Sequence, residues 1–243
     1  EATTLQKPYR LERCRSEEAE ALARVIVEDD ADSALQILSR TELRIVRAFA
    51  ADKRRVDWLA GRIATKRLMS WCLAQEGVYL KMPSIEVLNR KDGSPYVRLP
   101  TGEEFARYPF SLSHSKAGGV TAVAQPGYRI GVDLESIEPR EKSFLEIMAH
   151  DTEWDFSMET DPAEQTRLWT LKEAVSKLLG LGLSVGFWDI RFPLTGDERR
   201  LELHGPALAR YKAFGSPTIH FDSFTETEDV LSVAYTTRED EHA

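Results

Sequence analysis

The sequence predicts an α+β protein built of two similar halves, and three observations carry that prediction. Apolar residues recur at spacings of three and four from Asp52 to Glu76, the period of a long helix. Between Ile85 and Glu135 the period shortens to that of strands, broken by turn signals at Asp92-Gly93, Gly118-Gly119 and Pro126-Gly127. The order then repeats, helices from Ser143 to Leu179 followed by strands up to Thr236. The halves are drawn at residues 1–135 and 136–243.

Taken in order, residues 1–15 read as an arm or a first strand, and Ser16 is expected to cap a helix led by Glu17, Glu18 and Glu20. A short helix is expected over Asp32 to Leu38. Ser39-Arg40-Thr41-Glu42 fits a capping box, with Ser39 as N-cap and Glu42 at N3, opening a helix through Phe49. The long helix from Asp52 to Glu76 stops at Gly77, the residue type that tolerates a left-handed cap. Strands are expected at Ile85–Leu88, Tyr96–Leu99, Phe110–Ser115, Val120–Ala124 and Arg129–Glu135. Helical signals return at Ser143–Ala149, Asp151–Met158 and Pro162–Leu179, the last opened by Pro and closed by Gly180. Strands resume at Trp188–Phe192, Arg200–His204, Thr218–Phe224 and Val230–Thr236 before a charged tail. An internal echo accompanies this order, because Arg62–Leu68 can be laid on Lys172–Leu178.

At 243 residues, with 30% charged and 42% hydrophobic residues, the chain can bury a core without covalent staples. A net charge of −8 argues against a general nucleic-acid binder, so any phosphate site must be locally basic. Cys14 and Cys72 make neither a close pair nor a metal spacing, and a reducing cytoplasm is the expected compartment. No apolar run is long enough to span a bilayer, and no signal-peptide pattern opens the chain. The chain starts at Glu1 rather than Met, as a trimmed chain or a domain of a larger polypeptide would.

Three constellations can carry chemistry. On the strand Ile130-Gly131-Val132-Asp133-Leu134-Glu135, alternation puts both carboxylates on one face. A helical Trp169–Lys177 places Glu173 and Lys177 one turn apart, with Lys172 beside them. Three carboxylates with lysines suit Mg2+ holding a polyphosphate, since Mg2+ takes few protein oxygens and keeps substrate phosphate among its ligands. A solvated strand edge and a surface ion pair are the bland alternative. The second constellation is basic: Arg40, Arg44, Arg47, Lys53, Arg54, Arg55, Arg62, Lys66 and Arg67 outnumber Glu42, Asp52 and Asp57. It reads as a phosphate-gripping face, a surface for an acidic partner or a solvated helix. The third is Phe110-Ser111-Leu112-Ser113-His114-Ser115, whose hydroxyls and imidazole can donate to phosphate. No Gly-x-Ser-x-Gly elbow supports a serine nucleophile.

Trp58–Lys66 with its Gly61-Arg62 pair, Phe110–Ser115 with Gly131–Glu135, and Trp169–Lys177 running on through Gly180-Leu181-Gly182-Leu183 occur in that order. Together they resemble the motifs of the Sfp-type 4′-phosphopantetheinyl transferases, over residues 39–193. The resemblance implies a pseudo-dimer of two α+β halves, sufficient as a monomer, with coenzyme A and Mg2+ in the cleft between them. It implies transfer of the phosphopantetheine arm of coenzyme A to a serine of an acyl or peptidyl carrier protein, in primary metabolism or in a polyketide or peptide synthase. Matched position by position, Asp133, Glu135 and Glu173 correspond to the metal-binding carboxylates, and with Lys177 they are the expected catalytic set. Arg54, Arg62, Lys91, Ser113, His114, Lys172 and Lys177 correspond to coenzyme A contacts. Glu173 or a metal-bound water is the expected base, and Glu153 resembles another carboxylate given that role. Glu42 and Ile45 stand where some members carry basic residues. Carrier docking is expected on the Arg40–Arg47 helix or on residues 142–158, with Phe144, Ile147, Met148, Trp154 and Phe156 as apolar anchors. Two other readings are a catalytically inactive carrier-docking domain of a synthase and a Mg2+-dependent phosphohydrolase acting on coenzyme A without a carrier.

Overall fold

Antiparallel pairing organises both compact units of the computed structural model, Glu1–Tyr128 and Arg129–Ala243. The structure describes residues 7–154, 156–182, 186–195, 198–226 and 228–237. The division falls ahead of the boundary expected after Glu135, because the strand carrying Asp133 and Glu135 hydrogen-bonds to the last strand of the chain and so belongs to the second unit.

The first unit runs β1 (Tyr9–Arg15), α1 (Ser16–Val27), α2 (Ala31–Ala34), α3 (Arg40–Arg47), α4 (Asp52–Gln75), β2 (Glu86–Asn89), β3 (Pro95–Arg98), β4 (Phe110–Ser115) and β5 (Gly118–Ala124). Strands β1, β5 and β4 form an antiparallel sheet with β5 central, and β2 pairs with β3. Helix α4 buries Leu59, Ile63, Leu68, Met69 and Cys72 against these strands and the neighbouring helices, a succession of apolar positions that follows the helical period. Its C-terminal stop is Gly77 at φ 75°. The expected capping box closes α3: the Ser39 hydroxyl accepts from Glu42 N–H, and Glu42 accepts from Ser39 N–H. At α1 the cap position falls on Arg15 rather than Ser16; Arg15 N–H donates to Glu18, whose side chain serves the end that Ser16 was expected to serve.

The second unit runs β6 (Ile130–Ser136), α5 (Lys142–Met148), α6 (Pro162–Leu179), β7 (Ile190–Arg191), β8 (Leu194–Thr195), β9 (Glu198–Arg199), β10 (Glu202–Leu203), α7 (Gly205–Ala213), β11 (Ile219–Thr225) and β12 (Asp229–Thr236). Strands β11, β12 and β6 form its main sheet, with Asp133 opposite Ser232 and Glu135 opposite Val230. Helix α6 matches its expected limits: Pro162 opens it, Asp161 caps it, and Gly180 ends it at φ 67°. Gly131 lets β6 lie directly on α6, since a Cβ there would meet the Ala174 carbonyl oxygen at 1.9 Å. Residues 151–158 form short 3-10 turns (Asp151–Glu153 and Phe156–Glu159) rather than one helix. Helix α7 lies where no element was expected; it buries only Ala207, too little for a periodic signal. No helix among the described residues is long and apolar enough to cross a membrane.

The two units repeat one chain order: an outer strand, a turn bearing a buried glutamate, a long central helix, short strands and a hairpin whose second strand is central. Equivalent hydroxyl pairs tie helix to central strand, Thr65 to Thr121 at 2.8 Å and Thr170 to Ser232 at 2.7 Å. Lys66 and Lys172 also correspond, as their partners below make plain. The threonine stands one position before the lysine in the first unit and two before it in the second, so the two helices share a pattern rather than a single register.

Candidate active site

Trp169, Glu173 and Lys177 follow at intervals of four on α6 and so share the face turned to β6. The stripe runs antiparallel to the strand. Trp169 Nε1 donates to Glu135 Oε1 at 3.3 Å, while Lys177 Nζ donates to Val132 O at 3.0 Å and Asp133 Oδ1 at 2.8 Å. Asp133 is only 4% exposed. Burial, and next the charge of Asp133, raise the Glu135 carboxyl and push that of Glu173 up to about 6. Trp169, Arg140 and Lys177 counter the rise at Glu135, and Lys177 counters it at Glu173. Four of the expected catalytic residues thus form one electrostatically coupled group within the second unit.

The metal expectation meets a different geometry. No three His, Cys, Asp or Glu side chains among the described residues converge closely enough to hold a metal ion. Asp133 is drawn to Lys177 and Glu135 to Trp169, which directs the carboxylates at protein partners. The donor chemistry nevertheless fits a hard divalent cation, being all oxygen, partly desolvated and short of positive charge.

Lys172, expected to contact coenzyme A, is engaged by the protein itself. Its ammonium is buried, with its basicity lowered by desolvation, and its three hydrogens go to Glu153 Oε2 at 2.7 Å, Met148 O at 2.8 Å and Phe187 O at 2.9 Å. Glu153 in turn accepts from His150 N–H and Phe192 N–H, at 2.7 and 2.6 Å. All three ammonium hydrogens therefore have partners within the second unit. Trp169 is the contributor that the sequence reading left without a role; its i, i+4 spacing to Glu173 was the available signal.

The remaining expected contacts lie in the first unit, mostly around the first half of α4. Arg62 is buried, stacks 4.2 Å over the Trp58 ring, and donates through Nε to Val87 O and through Nη2 to Asn89 Oδ1. Burial pushes its basicity down to about 10. It lines a cavity of about 270 Å³ with Thr41, Ile45, Trp58, Leu88, Asn89, Tyr96 and Arg98. Arg54 is exposed, 4.7 Å over the Phe49 ring, and Lys91 is exposed in the β2–β3 turn. Ser113 is buried, whereas His114 is exposed with Nδ1 3.9 Å from Asp57. Lys66, read from the sequence as part of the basic face, instead pairs with Glu42 at 2.7 Å, both side chains fully buried.

Of the expected docking anchors, Ile147 is 61% exposed and Met148 sits in the core. Phe144 packs against Trp169 and Phe187, and Trp154 lies partly buried against the core. The Phe156 side chain lies outside the described residues.

Residues 129–216 match the family model described as the 4′-phosphopantetheinyl transferase superfamily. A 4′-phosphopantetheinyl transferase of Bacillus pumilus, psf-1, is 28% identical over 176 residues, 70% of this chain and 66% of that protein; the chain therefore spans just under two thirds of its curated relative. Solved structures with some likeness include the holo-[acyl-carrier-protein] synthase of Neisseria meningitidis, with 20% identity and a TM-score of 0.38 over 45% of this chain and 98% of that one. That of Helicobacter pylori in complex with coenzyme A has 21% identity and a TM-score of 0.38 over 44% and 99%. The match to the superfamily model is thus confined to the stretch that carries β6, α6 and the candidate site.

Proposed function

We propose that this chain is a phosphopantetheinyl transferase of the Sfp type, moving the phosphopantetheine arm of coenzyme A to a serine of an acyl or peptidyl carrier protein. The observation that carries the reading is the coupled set Asp133, Glu135, Glu173 and Lys177 on facing surfaces of β6 and α6. Carboxylates left short of positive charge beside a lysine suit a reaction in which a diphosphate is held and its leaving group gains charge.

The serine oxygen forms a bond to the pantetheine-side phosphorus, and the bond from that phosphorus to the bridging oxygen breaks. Adenosine 3′,5′-bisphosphate departs with the electron pair, and the seryl proton passes to Glu173. Lys177 neutralises charge on the phosphates, while Trp169 holds Glu135 in orientation. Asp133, Glu135 and Glu173 would hold Mg2+, which supplies charge neutralisation at the phosphates when bound. The cavity in the first unit suits the nucleotide end of coenzyme A: Trp58 and Tyr96 offer flat faces, and Arg62 and Arg98 offer cations in place of the basic residues absent at Glu42 and Ile45. Ser113, His114, Arg54 and Lys91 are the further contacts on this reading, which takes the pseudo-dimeric arrangement implied by the resemblance. The exposed Ile147 is the apolar anchor for the carrier.

The test is intact mass of a panel of apo-carrier proteins incubated with the chain and coenzyme A, with and without Mg2+. A metal-dependent gain of about 340 Da, lost in Glu173→Gln while coenzyme A still binds, is expected. Hydrolysis of coenzyme A without a carrier would point to a phosphohydrolase, and binding with no gain on any carrier would point to a docking domain.

A further inference from the structure

Lys172 and Glu153 have a close counterpart in the other unit, with the same two glutamate contacts and one matching carbonyl; the second carbonyl comes from Ile85, after the central helix, in the first unit and from Met148, before it, in the second. In the first unit Lys66 Nζ bonds Glu42 Oε2 at 2.7 Å and donates to Met82 O and Ile85 O at 2.9 and 2.6 Å. Glu42 accepts the N–H of its own cap residue, Ser39, on Oε2 and the N–H of Val87 on Oε1, each at 2.8 Å. In the second unit Lys172 bonds one carboxylate oxygen and two carbonyls, and Glu153 accepts the His150 cap N–H on Oε2 and the Phe192 N–H on Oε1. Each glutamate stands at the third position of a short helical turn before the central helix. The first unit holds none of Asp133, Glu135 and Glu173 yet makes the same buried lysine–glutamate pair with the same two backbone N–H donors to the glutamate, so phosphoryl transfer is not what the pair requires.

We infer that Glu153 and Lys172 form a positioning strut that aligns the catalytic face of α6 and touches no substrate. Through Phe187 O it fixes the ring of Phe187, which packs 5.2 Å from Trp169, the residue that holds Glu135. Through Met148 O it fixes the end of α5, and with it Phe144, 5.3 Å from Trp169. The residue after Lys172 is Glu173, so the strut sets the height of α6 at the proposed base. The inference removes both groups from the roles that family resemblance implies, and it rests on the transferase reading for its kinetic readout alone.

The test is a double-mutant cycle in the full chain: Glu153→Gln, Lys172→Met and the pair together. Each reports kcat and KM in the carrier assay, coenzyme A Kd by calorimetry and the near-ultraviolet circular dichroism of the aromatic cluster. Each single variant is expected to lose about tenfold or more in kcat with KM and Kd within about twofold of the parent, and the pair to recover much of the loss because neither charge is then stranded. A Kd about tenfold weaker in folded Lys172→Met would make Lys172 a phosphate contact. A pair held at the rate of Glu153→Gln would make Glu153 the base; either result overturns the inference. If the parent transfers nothing, the transferase reading fails by itself, and the dichroism still decides: restoration of the aromatic signal in the pair supports the strut, and its absence refutes it. The paired variant also serves if a single one does not fold.

Discussion

Replacing Gly131 by Ala tests how closely β6 must lie on α6. The added Cβ would sit 1.9 Å from the Ala174 carbonyl oxygen, 2.6 Å from Leu178 N and 3.0 Å from Ala174 C, all of them backbone atoms of α6. No side chain can turn away to make room. Opening the nearest contact from 1.9 Å to the 3.0 Å below which real Cβ contacts essentially never fall needs a separation of about 1.1 Å, the difference of those two distances. The same displacement would stretch the 2.8 Å bond from Lys177 to Asp133, two residues along the strand, beyond hydrogen-bonding range. Overpacking of this kind costs about 1–3 kcal/mol of stability. Misplacing reacting groups by about 1 Å costs on the order of a hundredfold in rate. Gly131→Ala is therefore expected to lower the urea midpoint by an amount equivalent to about 1–3 kcal/mol, and to lose about a hundredfold in carrier phosphopantetheinylation. A variant with the parent's midpoint and the parent's rate would refute the argument that strand and helix have no slack here.

The raised carboxyl of Glu173, at about 6 against an ordinary 4.5, contributes stability that is present below pH 4.5 and lost as pH rises through about 6. In metal-free protein Glu173→Gln should match the parent near pH 4 and exceed it by about 1 kcal/mol above pH 6, allowing for solvent screening of a partly exposed group; parallel urea-derived stabilities from pH 4 to 7 would contradict this. Lys66→Met strands the Glu42 carboxylate in the core and should cost about 3–5 kcal/mol, whereas Glu42→Gln with Lys66→Met should regain more than half of that in the same denaturation assay. Arg62→Lys removes the planar stack on Trp58 and the fork to Val87 O and Asn89, so coenzyme A should bind about tenfold more weakly by calorimetry; an unchanged Kd would place the nucleotide elsewhere.

Local signals were legible because local physics decides them. The Ser39–Glu42 capping box, the limits of α6 between Pro162 and Gly180, the stop at Gly77 and the whole of β4 were readable from short-range residue order. Turns at 151–159 and helix α7 were not. The first segment is held by bonds from Glu153 to Lys172 and Phe192, far along the chain, and the second buries too little to show a period. Within the candidate site, alternation on β6 put Asp133 and Glu135 on one face, and helical spacing put Glu173 one turn from Lys177.

By itself, then, the sequence determined an α+β chain of two parts, the order of most of their elements and the list of charged residues available for chemistry. The tertiary structure alone decided which partners those charges take. Lys172 and Lys177 stand five positions apart on one helix, yet Lys172 is spent on Glu153 and two carbonyls while Lys177 meets Asp133. Lys66 turned from a basic face into a core strut in the same way. The reason is that spacing fixes only the direction in which a side chain leaves its helix; what waits there, a buried carboxylate or the carboxylates of the candidate site, is brought by segments remote in the chain.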